Sequence, residues 1–164
     1  RSAADERSVP LDAFYPGFRQ TARKRGEFVA SVRIPRRSPN LVLRAYKISK
    51  RYDQDISAVF ACFALTIGDG LIRSARIACG GVAATPIRAV ATERILAGSP
   101  WSAATAERAA TVLASEFAPI DDMRASANYR RIVLGNLLRR CFHETGAGPR
   151  TPTRVESLLA AIDR

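Results

Sequence analysis

Apolar and polar residues alternate through much of the first half of the chain, which is the pattern of strands with one buried face. Residues 27–34 alternate and stop at Pro35, and residues 41–49 alternate again. Residues 56–67 are rich in Val, Phe, Ile and Thr, and a turn signal at 68–70 separates them from a further apolar run. We therefore predict strands over residues 27–34, 41–49, 56–67 and 71–79, the last two joined as an antiparallel hairpin.

Helical signals fill the second half of the chain. Pro86 suits the first turn of a helix that Gly98 would close, and Ser102 is a fair N-cap for an alanine-rich segment. We predict helices over residues 86–96, 102–116, 126–143 and 155–162. The third helix is expected to carry one apolar face made of Tyr129, Ile132, Val133 and Leu137.

Strands that precede a run of helices indicate an α+β fold, with three helices packed against a small antiparallel sheet of three to four strands. Residues 36–40 combine arginine, serine, proline and asparagine, which is the chemistry of a linker. We therefore divide the chain into a lead-in with linker at 1–39, a main domain at 40–148, and a C-terminal helix or tail at 149–164.

The composition predicts a soluble protein with a sizeable core, because 47% of the 164 residues are apolar. No run approaches the roughly 18 apolar residues of a membrane span, and the polar first residues do not form a signal peptide. The first residue is Arg1 rather than Met, so we expect a processed piece or a fragment of a longer protein.

The formal net charge of +11 predicts an anionic partner, which could be a nucleic acid, a phosphate-bearing cofactor or an acidic protein surface. The arginines are scattered along the whole chain, and the aromatic residues do not interleave with them as in a base-stacking platform. A solvated surface or a subunit interface is therefore the favoured explanation, and nucleic-acid binding is the least favoured.

Few residues offer chemistry of their own. The three widely spaced cysteines lack any metal-binding spacing, and His143 is the only histidine, so we expect no metal centre. The cysteines are expected to be small buried residues in a reducing, cytoplasmic compartment: Cys62, Cys79 and Cys141. Gly80-Gly81 favours a tight strand exit over a ligand contact, and Asp121-Asp122 favours helix-start charges over an acid–base pair.

The most informative stretch is the charged segment 46–56 (YKISKRYDQDI) between two predicted strands. It resembles the corresponding segment in the FAD-bearing part of bacterial xanthine dehydrogenases, in the molybdenum hydroxylase family. Further stretches agree in the same order, covering residues 11–144 in all: 14–19, 26–35, 75–83 and 122–131. The upstream pair resembles the last strands of the FAD-binding domain, and the downstream pair resembles the C-terminal CO dehydrogenase flavoprotein-like domain.

The resemblance implies a small FAD-carrying subunit in which a molybdenum cofactor oxidises a purine, 2Fe-2S clusters relay electrons, and FAD passes them to NAD. It implies that Lys47 reaches the oxygen side of the flavin, where a cation stabilises charge that builds on reduction. It also implies a backbone contact to the flavin at Val29. The loop beside the flavin would comprise Arg51, Asp53, Gln54 and Asp55, and Gln54 departs from the acidic residue that the family carries there.

The same resemblance places the pyrophosphate loop and the iron–sulfur cysteines upstream of these residues, and molybdenum on another subunit. The chain is thus expected to complete an FAD site rather than hold FAD alone, and to be inactive by itself. Two alternatives remain open: a non-catalytic docking module of a molybdenum hydroxylase, or a basic nucleic-acid-binding domain.

Overall fold

The computed structural model of the chain describes residues 1–3, 5–51, 54–146 and 153. Four strands and three helices follow in chain order: β1 (Leu41–Ile48), β2 (Val59–Gly68), β3 (Leu71–Gly80), β4 (Ile87–Arg88), α1 (Val90–Leu96), α2 (Ala103–Ser115) and α3 (Ala127–Thr145). A short 3-10 turn at Leu11–Ala13 is the only helical or strand element of the described residues before β1. The α+β architecture is as predicted.

The four strands form one antiparallel sheet in the order β1-β2-β3-β4. The β2–β3 hairpin turns at Asp69 and Gly70, whose φ angles of 53° and 72° lie in the left-handed region. Two consecutive left-handed residues match the right-handed twist of the strands, and Asp-Gly is a favoured pair for such a turn. The predicted hairpin is confirmed.

The core lies between one face of the sheet and the helices. Alternation along β2 buries Val59, Ala61, Phe63 and Leu65 on that face. Helix α2 presents alanines to the core, and α3 meets it at Gly135, where a Cβ atom would lie 3.0 Å from the Ala110 carbonyl oxygen. Small residues therefore let these two helices approach closely.

The starts of the helices show which local sequence signals were enough to predict where a helix begins. The hydroxyl of Ser102 accepts a hydrogen bond from the Thr105 amide, so the predicted N-cap is confirmed. Ser126 caps α3 in the same way by accepting from the Tyr129 amide, at the residue where the third helix was predicted to begin. The predicted start at Pro86 is wrong, because the next two residues pair with β3 as β4 and the helix begins at Val90.

The predicted apolar face of α3 is largely wrong. Leu137 is buried, but Tyr129 and Ile132 are 47% and 52% exposed. The buried residues of α3 are Arg130, Leu134, Gly135, Leu137, Leu138 and Cys141. Gly135 lies on this buried face, where a Cβ atom would be in tight contact with the Ala110 carbonyl, so the glycine suits the close approach of α3 to α2.

The predicted strand over 27–34 is also wrong. Residues 27–34 are extended but pair with no strand, and Phe28, Val29, Val32 and Ile34 are between 54% and 82% exposed. A strand needs a partner for its backbone groups, and none of the described strands lies beside this segment. The predicted helix at 155–162 lies outside the described residues. In the part of the chain that the structure describes, no helix is long and apolar enough to cross a membrane.

Candidate functional site

One end of the sheet gathers segments that are far apart in sequence. β1 ends at Ile48, β2 begins at Val59, and β3 ends at Gly80, so the antiparallel pairing places these three positions side by side. The β1–β2 loop, residues 49–58, and the Gly80-Gly81 exit therefore lie at the same end. We call this region the loop end of the sheet.

Lys47 lies at the loop end, on the face of the sheet that the helices leave uncovered. It pairs with Phe60 on β2, and Phe60 pairs with Gly80 on β3. The next row on that face contains Ala45, Cys62 and Ala78. The exposed Lys47 thus borders a flat surface of small and aromatic side chains.

Arg51 and Asp55 lie on the β1–β2 loop, and both are exposed. The Arg51 carbonyl oxygen accepts hydrogen bonds from the Ser49 hydroxyl at 2.9 Å and the Gln54 amide at 3.3 Å. The Ala58 amide donates to the Ile48 carbonyl at 2.8 Å and closes the loop. The structure therefore brings Lys47, Arg51 and Asp55 to one region, while Asp53 lies outside the described residues.

Val29 stands apart from those three residues. It is 54% exposed within the extended lead-in, where the neighbouring Phe28 backbone is hydrogen-bonded to Arg1. Among the described residues, no hydrogen bond, ion pair or ring contact joins Val29 to Lys47, Arg51 or Asp55. The predicted contact of Val29 with the flavin therefore stays a prediction.

An open cavity of about 570 Å³ lies between the β1–β2 loop and the start of α3. Its walls come from Ile48, Ser49, Lys50 and Ala58 on one side, and from residues 122–126 and Tyr129 on the other. The Lys50 ammonium donates across it to the Met123 carbonyl oxygen at 3.3 Å. The loop end therefore has a cleft with cationic and apolar walls.

A buried arginine, Arg130, is hydrogen-bonded to two residues that line this cleft, and the sequence analysis did not identify it. The Arg130 side chain is 3% exposed. Its guanidinium donates to the Ala58 carbonyl at 2.7 Å, to the Gly81 carbonyl and to the Asp122 carboxylate. Arg130 has helical spacing to Leu134, Leu138 and Cys141, which places it on the buried stripe of α3. This spacing is the signal in the sequence by which Arg130 could have been identified.

Gly81 and the paired aspartates have structural explanations. Gly81 has a φ of +77°, and a Cβ atom there would lie 2.5 Å from the Ala58 carbonyl oxygen, so the tight strand exit is as predicted. Asp121 accepts a hydrogen bond at 2.6 Å from the first amide of α3, as a helix-start charge should. Asp122 does more: the backbone amides of Arg124 and Ala125, together with Arg130, lower the pKa of its carboxyl to about 2.

The cysteines offer no reactive thiol at the loop end. Burial raises the pKa of Cys79 and of Cys141 to about 12, so both thiols are protonated near neutral pH. Cys62 is half-buried rather than buried as predicted, because it lies on the uncovered face of the sheet, and desolvation raises the pKa of its thiol as well. Within the described ranges, no group of three or more His, Cys, Asp or Glu side chains could hold a metal ion.

Comparison with known sequences identifies the class to which this domain belongs. The sequence matches the CO dehydrogenase flavoprotein C-terminal domain over residues 44–145, which are the residues of the sheet and the three helices. The chain belongs to this family, within the molybdenum hydroxylases.

Individual relatives extend the match beyond the domain. The chain is 32% identical over 147 residues to a nicotinate hydroxylase of Emericella nidulans, covering 85% of the chain and 11% of that protein. It is 29% identical over 170 residues to a xanthine dehydrogenase of the same fungus, covering 100% of the chain and 12% of that protein. It therefore spans about a tenth of the length of these relatives.

A solved structure shows the same fold. The carbon monoxide dehydrogenase of Hydrogenophaga pseudoflava, in a form lacking the Mo-pyranopterin moiety of the molybdenum cofactor, superposes with a TM-score of 0.75 and 27% identity. The match covers 82% of this chain and 46% of that one. The resemblance to molybdenum hydroxylases is thus confirmed at the level of the family.

Proposed function

We propose that this chain is the C-terminal part of the FAD-carrying portion of a xanthine dehydrogenase, where the loop end of its sheet completes the flavin site. In that protein, purine hydroxylation at a molybdenum cofactor would send electrons through 2Fe-2S clusters and FAD to NAD. The observation that carries the proposal is the arrangement of Lys47, Arg51 and Asp55 around one end of the sheet in a domain of flavoprotein type.

The uncovered face fits one side of a flavin ring. Phe60, Ala45 and Ala78 give a flat apolar surface that an aromatic ring system can cover, and Lys47 supplies a cation at its border. Bound FAD would supply the electron-accepting and electron-donating chemistry. The Lys47 ammonium would hold positive charge next to the ring oxygens and so favour the reduced form, which is negatively charged there.

The loop charges would act on the outer side of the same site. Arg51 is free to pair with an anionic group of a dinucleotide, and Asp55 would repel one, so together they orient an incoming nicotinamide cofactor. Val29 would contribute a backbone contact from the lead-in segment. The upstream portion would supply the pyrophosphate contacts, and a molybdenum-binding subunit would be the electron source.

Replacing Lys47 tests this function in the full-length protein with its partner subunits. Lys47→Ala is expected to lower the flavin midpoint potential and slow xanthine-dependent NAD reduction about tenfold or more, as for loss of one preorganised charge. Lys24→Ala, at an exposed lysine of the lead-in, is the matched control. A wild-type protein without flavin absorbance would refute the assignment.

The second candidate function is that of a subunit-docking module with no role at the flavin. One exposed apolar surface supports it. Four large apolar side chains near the start of α3 are between 47% and 85% exposed: Ile120, Met123, Tyr129 and Ile132. A patch of this kind is typical of an interface. If docking is the whole function, Lys47→Ala leaves flavin reduction unchanged, and Met123→Asp lowers the yield of assembled complex.

A further inference from the structure

We infer that Arg130 is the positioning residue of the flavin site: it clamps the β1–β2 loop to the start of α3 and so fixes the charges that the loop carries. The inference rests on the proposed function for its effect on the flavin, whereas the clamp itself can be tested without it. Arg130 lies on α3, and its own side chain contacts neither Lys47, Arg51 nor Asp55.

The clamp joins three segments through one guanidinium. Arg130 Nη1 donates to the carbonyl of Ala58, the last residue of the β1–β2 loop, and to the carbonyl of Gly81. Its Nη2 donates to Asp122, and its Nε lies 3.4 Å from the Ala125 carbonyl oxygen. A planar group with five donors can span such divergent acceptors, whereas an ammonium offers a single point of charge.

The β1–β2 loop has few other attachments. For its described residues, 49–51 and 54–58, two hydrogen bonds reach α3 and the loop that precedes it. One comes from the exposed Lys50 to Met123, and the other is the buried bond from Arg130 to Ala58. Both donors are charged, and the bond from Arg130 forms the stronger attachment because it is shorter, at 2.7 Å against 3.3 Å, and buried away from water.

The burial of the Arg130 charge indicates that this residue positions chain segments rather than adds to the stability of the domain. Among the residues that the structure describes, Arg130 is the only buried Arg or Lys. A buried ion pair adds little stability over apolar residues of the same volume, because desolvation offsets the attraction. Its directional bonds, however, hold the chain segments in one relative position. Gly81 completes the arrangement, because any side chain there would displace the Ala58 carbonyl that Arg130 binds.

The test is Arg130→Lys in the full-length protein with its partner subunits. Lysine keeps the positive charge opposite Asp122 but lacks the planar guanidinium whose donors reach several acceptors at once. Amide hydrogen exchange at residues 54–58 is expected to quicken about tenfold or more, as for loss of a hydrogen bond to a charged donor. Exchange in β2 and β3 is expected to stay unchanged. The control is Arg131→Lys, at the exposed neighbour on the same helix.

The second measurement is the flavin midpoint potential of the same proteins. Arg130→Lys is expected to shift it from the wild-type value, while Arg131→Lys leaves it in place. Unchanged exchange at 54–58, or exchange quickened uniformly through the sheet, would overturn the clamp. Quickened loop exchange with an unchanged potential would overturn its role at the flavin. If the wild-type protein contains no FAD, the proposed function is refuted. The hydrogen-exchange measurement at residues 54–58 still decides whether the clamp exists.

Discussion

The lead-in, residues 1–40, and the domain at 41–146 contain segments with the same alternating pattern and opposite outcomes. Leu41–Ile48 forms β1, pairs with β2 along its whole length, and buries Tyr46. Residues 27–34 alternate equally well, yet they stay unpaired with their apolar side chains in solvent. Alternation predicts which side chains share a face. Whether the segment becomes a strand depends on a neighbouring strand for its backbone groups, and burial of the face depends on a layer that packs against it.

The two regions are also held together by different interactions. Among the described residues, the domain has a continuous apolar core of twenty buried side chains between sheet and helices. The lead-in is organised by polar contacts, chiefly the Arg7–Glu27 ion pair at 2.8 Å and a hydrogen bond from Arg7 to the Ala22 carbonyl. Exposed ion pairs contribute little to stability, so the lead-in is expected to be held less firmly than the domain.

The largest expected contrast comes from removing one phenylalanine in each region. Phe63→Ala opens a cavity at a fully buried site and is expected to destabilise the domain by about 3–5 kcal/mol. Phe28→Ala removes a side chain that is 55% exposed and should change the free energy of unfolding by less than about 0.5 kcal/mol. Denaturant unfolding of the chain measures both, and equal effects would contradict the contrast.

Glycine substitutions give the next largest effect and separate backbone strain from crowding. Gly81→Ala combines a φ of +77° with a clash against Ala58, so we expect a loss above about 2 kcal/mol. Gly98→Ala has the same φ in open space and is expected to cost about 1 kcal/mol. Gly26→Ala, left-handed and open in the lead-in, should leave the unfolding of the domain unchanged. Thermal melts of the three variants measure these losses of stability. Equal losses for Gly81→Ala and Gly98→Ala would exclude a contribution from crowding at Gly81.

The smallest expected effect is a pH dependence that distinguishes two glutamates. Burial alone would raise the pKa of Glu144, but hydrogen bonds from Thr153, Arg140 and Tyr46 bring it down from 4.5 to about 2. Its charge therefore stabilises the domain above about pH 4.5, and this stabilisation is lost as the pH falls towards 2. Glu144→Gln should thus lower the melting temperature at pH 7, by an amount that shrinks towards pH 2.

Glu27 provides the comparison in the lead-in. Hydrogen bonds from Arg7 and the Lys24 backbone lower the pKa of its carboxyl to about 2 as well. Because the hydrogen bonds and ion pair of Glu27 among the described residues lie within the lead-in, Glu27→Gln is expected to leave the melting temperature of the domain unchanged from pH 7 to pH 3. A shift equal to that of Glu144→Gln would mean that the two regions unfold as one unit.

Local chemistry was enough to predict those features that depend on neighbouring residues. The Asp69-Gly70 hairpin and the cap at Ser102 are set within a few positions of sequence, and the structure confirms both. The start of α1 was not predictable in this way. Residues 87–88 pair with β3, and the Glu116 carboxylate caps the amides of Ala91 and Thr92 from the end of α2.

The candidate site also contains residues that the sequence predicts and a residue that only the structure reveals. Resemblance placed Lys47, Arg51 and Asp55 in one charged segment, and chain continuity alone ensured that they lie together. Arg130 was missed because its role depends on Ala58, Gly81 and Asp122, which are up to 72 positions away in sequence. Tyr129 and Ile132 were predicted to lie on the apolar face of α3, because helical spacing shows which residues share a face and does not show which face packs against the core.

The sequence by itself determined the α+β order of elements, the hairpin, one helix cap and the charged segment, because each rests on propensity, turn geometry or contiguity. Only the tertiary structure decided which alternating segment became a strand, which face of α3 was buried, and that a buried arginine holds the loop end of the sheet. Those outcomes follow from close packing and from hydrogen bonds between segments distant in sequence, where one carbonyl or one missing Cβ sets the position of a whole element.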